Sequence, residues 1–594
     1  MTISVNYQKR KNTHLFSKFK NNKNIHLTNA QNYIPIYDRF FSLNSTNWNS
    51  INLNNTLAIT DIKSGKDNTF LTTLKHTITE EEHNSKIFIK IIPLLDPFKY
   101  IIGKYDLTDE NLFNLPSFDK TMKVHPKILE PNNLSYVDSF FSFLSSRLLY
   151  EYNFIHGNDF YGSFLGIKND FKMNIFDDLE YLVQSEFFHN KKGTLFQVED
   201  FSHLINVESV KLKPINIAGS IKSQLSVKSL NNDIFEDIFE SGADTDKALL
   251  AVTNADTDTD NNFVSLVDMT NIDLLAPENV KTSFHSSFHS SSSCSSRTSH
   301  TNDDDTQIED NDTQIEDDSK IEGVDDFSED DEDYSTLTDE TIMLTIPKFP
   351  VQIICMEHCD DTFNNFILSE NISDEEWISA LMQIIMILLT YQQAFSLTHN
   401  DLHTNNIMYT TTNKKFIYYV YKKKTYKVPT YGKIYKIIDF GRAIYKYDGK
   451  IFCSDSFQTG GDAATQYNTE PFYNSNKPRL EPNFSFDLCR LACSIFDYLV
   501  EDLDTIKCLE KCSPVVRIIT EWCIDDNGIN VLYKNNGVER YPDFKLYKMI
   551  ARCVHKHTPQ AQLDRPEFSK FITNTKQVPS TEYLINIDDI PCHC

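Results

Sequence analysis

An α+β fold in two parts is what this chain predicts, on three observations. Residues from about 55 to 100 alternate apolar and polar positions in strand fashion, as in "LAITDI", "FLTTL" and "SKIFIKIIPLLDP". The later part of the chain carries helical periodicity, in "SDEEWISALMQIIMILLTYQQAFSL" and again across 485–575. Between the two, residues 226–342 turn abruptly to Asp, Ser and Thr, with few aromatics and a direct repeat "DTQIED" at 305–310 and 312–317. At 594 residues the chain is too long for one core, and a 40% hydrophobic content is enough to build sizeable ones.

Taken in order, residues 1–50 are polar and basic and then aromatic, which predicts an N-terminal extension, partly disordered. Residues 51–225 form the β-rich part with insertions. Within it "YVDSFFSFLSSRLLYEYNF" predicts a helix with Val137, Phe140, Phe141, Leu144, Leu148 and Tyr152 on one face. Asp138 and Glu151 then read as solvated helix residues. Residues 226–342 cannot bury enough apolar surface to offset the entropy of ordering them, so a long disordered acidic insertion between the two parts is expected. Residues 343–576 open on the strand "FPVQIICME" and continue into a helix capped by Ser373, with acids in its first turn. Its apolar positions predict a long buried helix, with "IIMILLTY" read as part of an amphipathic one. "KKFIYYVYKKKTYKVPTYGKIYKIIDFG" has period two and predicts a hairpin plus a return strand. Its turn carries Lys422, Lys423 and Lys424, either an exposed soluble turn or a dock for the acidic insertion, where Ser328 in "FSEDDED" is a candidate phosphoacceptor. Residues 577–594 form a tail.

The net charge of −27 argues against a general nucleic-acid binder, which needs a basic face. The 12 cysteines follow no framework spacing and "MTISVNYQKRKNTHLF" has no apolar signal core, so reduced thiols in a cytoplasmic compartment are expected. The pairs Cys355/Cys359, Cys489/Cys493 and Cys508/Cys512 read as small core residues. No apolar run reaches the ~20 residues that span a bilayer, so no membrane partner is expected.

The chemistry concentrates in three places. Lys90 lies in the strand "IFIKII". "LTHNDLHTNNIMY" places His399, Asp401, His403 and Asn406 between two apolar runs. Asp439-Phe440-Gly441 follows the strand "IYKIIDF". Phosphoryl transfer needs residues of these types: a lysine for phosphate charge, oxygen donors for Mg²⁺, and a carboxylate for the acceptor hydroxyl. This order resembles the protein-kinase superfamily, whose pattern runs strand Lys, H-R-D with a later Asn, then D-F-G. "IKIIPLLDP", "YVDSFF", "YKVPTYGKIYKIIDFGRA" and "LDRPEF" resemble more closely the serine/threonine-protein kinases of giant, mimivirus-like DNA viruses.

The resemblance covers about 55 to 575 without the insertion. It implies a bilobal fold with a β-rich N-lobe and a helical C-lobe, ATP and Mg²⁺ as cofactors, and a protein substrate, with the host cytoplasm as its location. It implies Asp401 as base, Asn406 and Asp439 as metal ligands, and Lys90 on the nucleotide phosphates, with Lys86 as an alternative in the same strand. Gly65 would stand in the phosphate-binding loop. Met356 would be the gatekeeper, Glu357 and Cys359 would offer hinge groups to adenine, and Gly441 would give the backbone freedom after the metal aspartate. Asp487 would brace the catalytic loop, and Arg565 would be the late kinase arginine. The chain departs from the pattern in several places. One glycine stands where three are usual. Asn400 replaces the arginine that pairs with a phosphorylated activation loop, so activity is expected not to depend on that clamp. His403 replaces a lysine, and D-L-H is common in small-molecule phosphotransferases. A helix glutamate for Lys90 is not evident, and "RLEPNF" only echoes A-P-E. A small-molecule phosphotransferase and a pseudokinase scaffold therefore stay open beside a serine/threonine-protein kinase.

Overall fold

The alternating segments pair into one curled antiparallel sheet. The computed structural model describes residues 3–119, 121–201, 341–369, 371–574, 578–579 and 582–594. Nearly all of the acidic segment, with its repeat and Ser328, lies outside these. The sheet strands are β1 (Leu27–Gln31), β2 (Leu57–Lys66), β3 (Thr69–His76), β4 (Glu82–Pro93), β5 (Phe160–Asn174), β6 (Gln197–Val198) and β7 (Met343–Glu357). Their order is β1-β5-β7-β4-β3-β2, with short β6 also paired to β7. The β2–β3 hairpin turns on Asp67 and Asn68, both at positive φ (50° and 61°), the two-residue turn that matches strand twist. In β4 the alternation buries Ile87 and Ile89 completely and sets Phe88 and Lys90 on the opposite face.

Four expectations are corrected. The first concerns the N-terminus, which is structured from residue 3 rather than partly disordered. Helix α1 (Thr13–Asn21) buries Leu15 and Phe19, and Phe16 meets the Phe164 ring edge-on at 5.4 Å. The polar composition is satisfied internally: the Asn12 amide donates to both Asn32 and Asn52 Oδ1. The second concerns the insertion, whose described flanks are β6 and β7. These pair with each other (Val198↔Leu344), so the chain leaves and re-enters one sheet instead of passing between two lobes. Residues 343–357 accordingly belong to the sheet, and the chain crosses out of it only after Glu357.

The third concerns the long apolar helix. Helix α2 (Leu134–Tyr152) packs against the sheet, as its periodicity predicts. Helix α3 (Asp374–Phe395) starts as predicted, with Ser373 Oγ accepting from the Glu376 N–H at 3.3 Å, and ends at Ser396 in the left-handed region. It is long and buried, as its apolar positions predict, but not amphipathic. Even Ser379, Gln383 and Thr390 are buried, so in a helix apolar and long enough to cross a membrane, 94% of the most apolar 18-residue stretch is buried in the protein. Around it lie β8 (Ile407–Thr411), β9 (Phe416–Tyr421), β10 (Lys424–Pro429) and β11 (Lys433–Ile437). The predicted hairpin is β9–β10, and β11 returns to pair with β8. Helices α4 (Phe486–Leu499), α5 (Pro514–Trp522) and α6 (Lys545–Cys553) follow. Residues 523–544 depart from helical period because Gly528 and Gly537, at φ 84° and 79°, close turns between isolated bridges.

The fourth concerns the tail and the lysine turn. Strand β12 (Tyr583–Asn586) adds in parallel to β9. Asp588 then accepts the N–H groups of Lys422 and Lys423 at 2.7 and 2.8 Å. The tail thus binds the backbone of this turn, whose lysines are exposed as one reading expected, while nearly all of the acidic insertion of the other reading lies outside the described residues.

His156, fully buried, joins the chain after α2 to the later part of the molecule. Its Nδ1 meets the Tyr435 carbonyl and its Nε2 the Tyr419 hydroxyl, both at 2.7 Å. The carbonyl can only accept, so Nδ1 carries the proton, and Nε2 can accept from the Tyr419 hydroxyl. Burial pushes the ring's pKa down to about 3, the Lys436 charge adding to this and the Tyr435 carbonyl opposing it. A histidine with a depressed folded pKa contributes stability above its unfolded value of ~6.5 and loses it as pH falls toward the folded value. Wild type should therefore lose about 2 kcal/mol of stability from this residue between pH 7.5 and pH 5. Urea midpoints of wild type and His156→Gln at both pH values check this. Parallel acid limbs in the two proteins would sink it.

Candidate active site

The site is built where β4, α2, the segment after α3 and the segment after β11 converge. The face of β4 opposite the buried isoleucines presents Lys90. Its ammonium lies 2.6 Å from Asp138 Oδ2 and 2.9 Å from Asp439 Oδ1. Lys86, the alternative, is exposed. Asp138 is only 1% exposed, which corrects its reading as a solvated residue. Helix α2 can bury it because the surrounding positions are small: Ser135, Ser139, Ser142 and Ser145 are all buried with it. Its Oδ1 also accepts the Phe440 N–H at 2.9 Å, and one turn on, the Phe141 ring packs on Phe440 with centroids 4.4 Å apart. Burial works against the Lys90 charge, but the two carboxylates outweigh it and raise its pKa, so the ammonium is held charged.

Asp439 has φ 66°, while Gly441 does not lie in the left-handed region. The expected backbone freedom therefore falls on Asp439 itself. A Cβ on Gly441 would stand 3.4 Å from Asp439 Oδ1, an ordinary contact distance. Gly65 sits inside β2, not in an open loop. A Cβ on it would come within 2.3 Å of the Phe70 ring and the Thr69 carbonyl.

The segment after α3 is held by its backbone. Asp487, at the start of α4 and fully buried, accepts the His399 N–H through Oδ2 and the Asn400 N–H through Oδ1, both at 2.9 Å. His399 Nε2 lies 2.9 Å from the Ile438 carbonyl, which ties this segment to the one carrying Asp439. Asn400 adopts φ 66°, a region its short amide tolerates. It donates to the Thr398 and Arg442 carbonyls and accepts from Tyr467. Asn406 Nδ2 donates to the Asp401 carbonyl at 2.9 Å.

The Asp401 carboxylate points to a group that sequence reasoning missed. Tyr547, from α6, donates its hydroxyl to Asp401 Oδ1 at 2.7 Å. Arg442 stands 3.9 Å from Oδ2 and is itself paired with Asp462 at 2.7 Å. Burial alone would raise the Asp401 pKa. Arg442, His403 and Arg490 reverse this and hold it well below the usual carboxylate range, so it is ionised. Burial pushes His403 down to about 4, against the opposing pull of Asp401, and leaves it neutral near pH 7.

At the hinge position, the Glu357 N–H is committed to the Asp159 carbonyl and its carboxylate to Lys436 at 2.8 Å. Cys359 is buried, which raises its thiol pKa to about 12. The late arginine, Arg565, pairs with Glu521 at 2.5 Å.

No family model matches the chain. Over 212 residues it is 26% identical to a protein of Acanthamoeba polyphaga mimivirus named "putative serine/threonine-protein kinase". The resemblance to viral kinases is thus found in a second sequence. The match covers 30% of this chain and 47% of the viral protein, so it spans about half of that relative's length.

Proposed function

We propose that the chain transfers the γ-phosphoryl group of Mg-ATP to serine or threonine hydroxyls of proteins. The observation that carries this reading is the single Lys90 ammonium held between Asp138 and Asp439. It is a phosphate-binding charge fixed beside an oxygen donor for a cation. Two carboxylates around one ammonium leave a net negative charge. Asn406 commits its amide nitrogen to Asp401 and keeps Oδ1 for a cation. Among the described residues no cluster of three or more His, Cys, Asp or Glu is set to hold a metal alone. Such a two-ligand site suits Mg²⁺, which keeps waters and phosphate oxygens as its other ligands. When bound, the ion supplies charge neutralisation on the phosphates. Lys90 holds the nucleotide phosphates. Asp401, ionised and braced through Asp487, orients the acceptor hydroxyl and takes its proton.

The test is transfer from γ-labelled Mg-ATP to added basic and acidic proteins, with Asp401→Asn and Asp439→Asn beside wild type. Label on protein from wild type, falling at least ~100-fold in both variants, is the expected result. Label only on sugars or amino alcohols would replace the protein acceptor with a small molecule. Absence of any transfer would leave the scaffold reading.

A further inference from the structure

The Tyr547 hydroxyl occupies the place on Asp401 that an acceptor hydroxyl must take, 2.7 Å from Oδ1. The ring lies under two guanidinium carbons, Arg490 at 5.0 Å and Arg442 at 5.8 Å from its centroid. It is backed by Phe544 at 5.2 Å. One further observation suggests what these arginines are for. Arg490 Nε is buried without a hydrogen-bond partner among the described residues. A buried guanidinium N–H left unpaired is costly, and a phosphate oxygen is the group that best satisfies it.

We propose that Tyr547 is the chain's own first phosphoryl acceptor, modified in cis, with Arg490 and Arg442 receiving the new phosphate. This rests on the phosphotransfer reading above. The bond between Tyr547 Oη and the γ-phosphorus forms as the bond from that phosphorus to the β–γ bridging oxygen breaks. The phenolic proton passes to Asp401 and ADP leaves. The product carries about −1.5 to −2 charges beside an ionised aspartate, so it is repelled from Asp401 and drawn to the arginines. Asp401 is thereby cleared for an external hydroxyl. Tyrosine modification comes first and transfer to other proteins second.

The experiment uses the full chain, dephosphorylated and then incubated with γ-labelled Mg-ATP at several protein concentrations. An added protein acceptor is present in a parallel series. Sites are mapped by mass spectrometry in wild type, Tyr547→Phe, Asp401→Asn and Asp439→Asn. Phosphotyrosine at 547 is expected, forming at a first-order rate independent of protein concentration. It should be lost in both aspartate variants, and in wild type it should precede label on the added acceptor. Two outcomes overturn the inference while the phosphotransfer reading stands: label on the acceptor or elsewhere on the chain with none at 547, or label at 547 whose rate rises with protein concentration. Absence of transfer to any acceptor overturns both. Two aspartates are tested so that the misfolding of one variant does not decide the result.

Discussion

Asp138→Ala should cut phosphoryl transfer by about 100-fold or more, because Lys90, proposed to grip the phosphates, loses the partner that fixes its position. The Ala variant also orphans the buried Phe440 N–H and leaves Lys90 with Asp439 alone. Its stability should fall by about 2–4 kcal/mol, less than a fully broken buried pair, since one carboxylate remains within 2.9 Å of the ammonium. Asp138→Asn separates the two effects. Its amide oxygen can still accept the Phe440 N–H, so its stability should come within about 1–2 kcal/mol of wild type. Its activity should stay near that of the Ala variant, because the charge is gone. A solvated helix aspartate would behave otherwise, with both variants within about 0.5 kcal/mol and fully active. Urea unfolding and transfer assays on the same preparations decide. Transfer by Asp138→Asn within threefold of wild type would mean that Asp439 alone positions Lys90.

That the contacts of Asp138 were hidden in the sequence, while Asp401, Asn406 and Asp439 stood out as candidates, has a physical cause. The last three sit in short segments whose residue types and spacing carry the chemistry locally. Asp138 acquires its role from a partner 48 residues earlier, in another element. The legible clue was the serine-rich face around it. A helix with small residues on the side away from its apolar stripe is approached closely on both sides, and an acid among them is buried too. Tyr547 had no such clue. It lies 146 residues from Asp401, in a helix that reads as an ordinary surface element. The alternating strands, the capped helix at Ser373 and the lysine hairpin were legible because period and capping are local signals. The N-terminal 50 residues were misread because Asn-rich composition resembles a disordered segment until its amides find each other. The insertion was misplaced because composition marks where order stops, not which strands lie on either side. Gly65 was identified as a phosphate-loop glycine and Gly441 as a source of backbone freedom. The structure gives close approach to Phe70 and Thr69 as the reason for Gly65, and puts the positive φ on Asp439 instead of Gly441.

Asp487→Asn should be almost as damaging as Asp487→Ala, which is unusual for so conservative a change. The carboxylate accepts two backbone N–H groups at once, one on each oxygen, from the adjacent residues His399 and Asn400. An asparagine has one carbonyl oxygen. Its NH₂ would face the second N–H, donor against donor, in a site with no exposed surface. Burial raises the Asp487 pKa, and the His399 and Asn400 contacts oppose that, so the native group itself carries a desolvation cost that either variant relieves. The net loss is therefore about 2–4 kcal/mol for either substitution, below the sum of two orphaned buried donors. Activity should fall further than stability suggests. Asn400 holds φ 66°, and with its N–H released the turn proposed to aim Asp401 at the acceptor keeps only the side-chain contacts of Asn400. Transfer is expected to drop by about 100-fold in both variants, through kcat and not through the KM for ATP, because Lys90, Asp138 and Asp439 are untouched. A wild-type kcat in Asp487→Asn would show that the contacts of Asn400 to Arg442 and Tyr467 hold the segment without Asp487. A raised KM for ATP would place the damage on the nucleotide side instead.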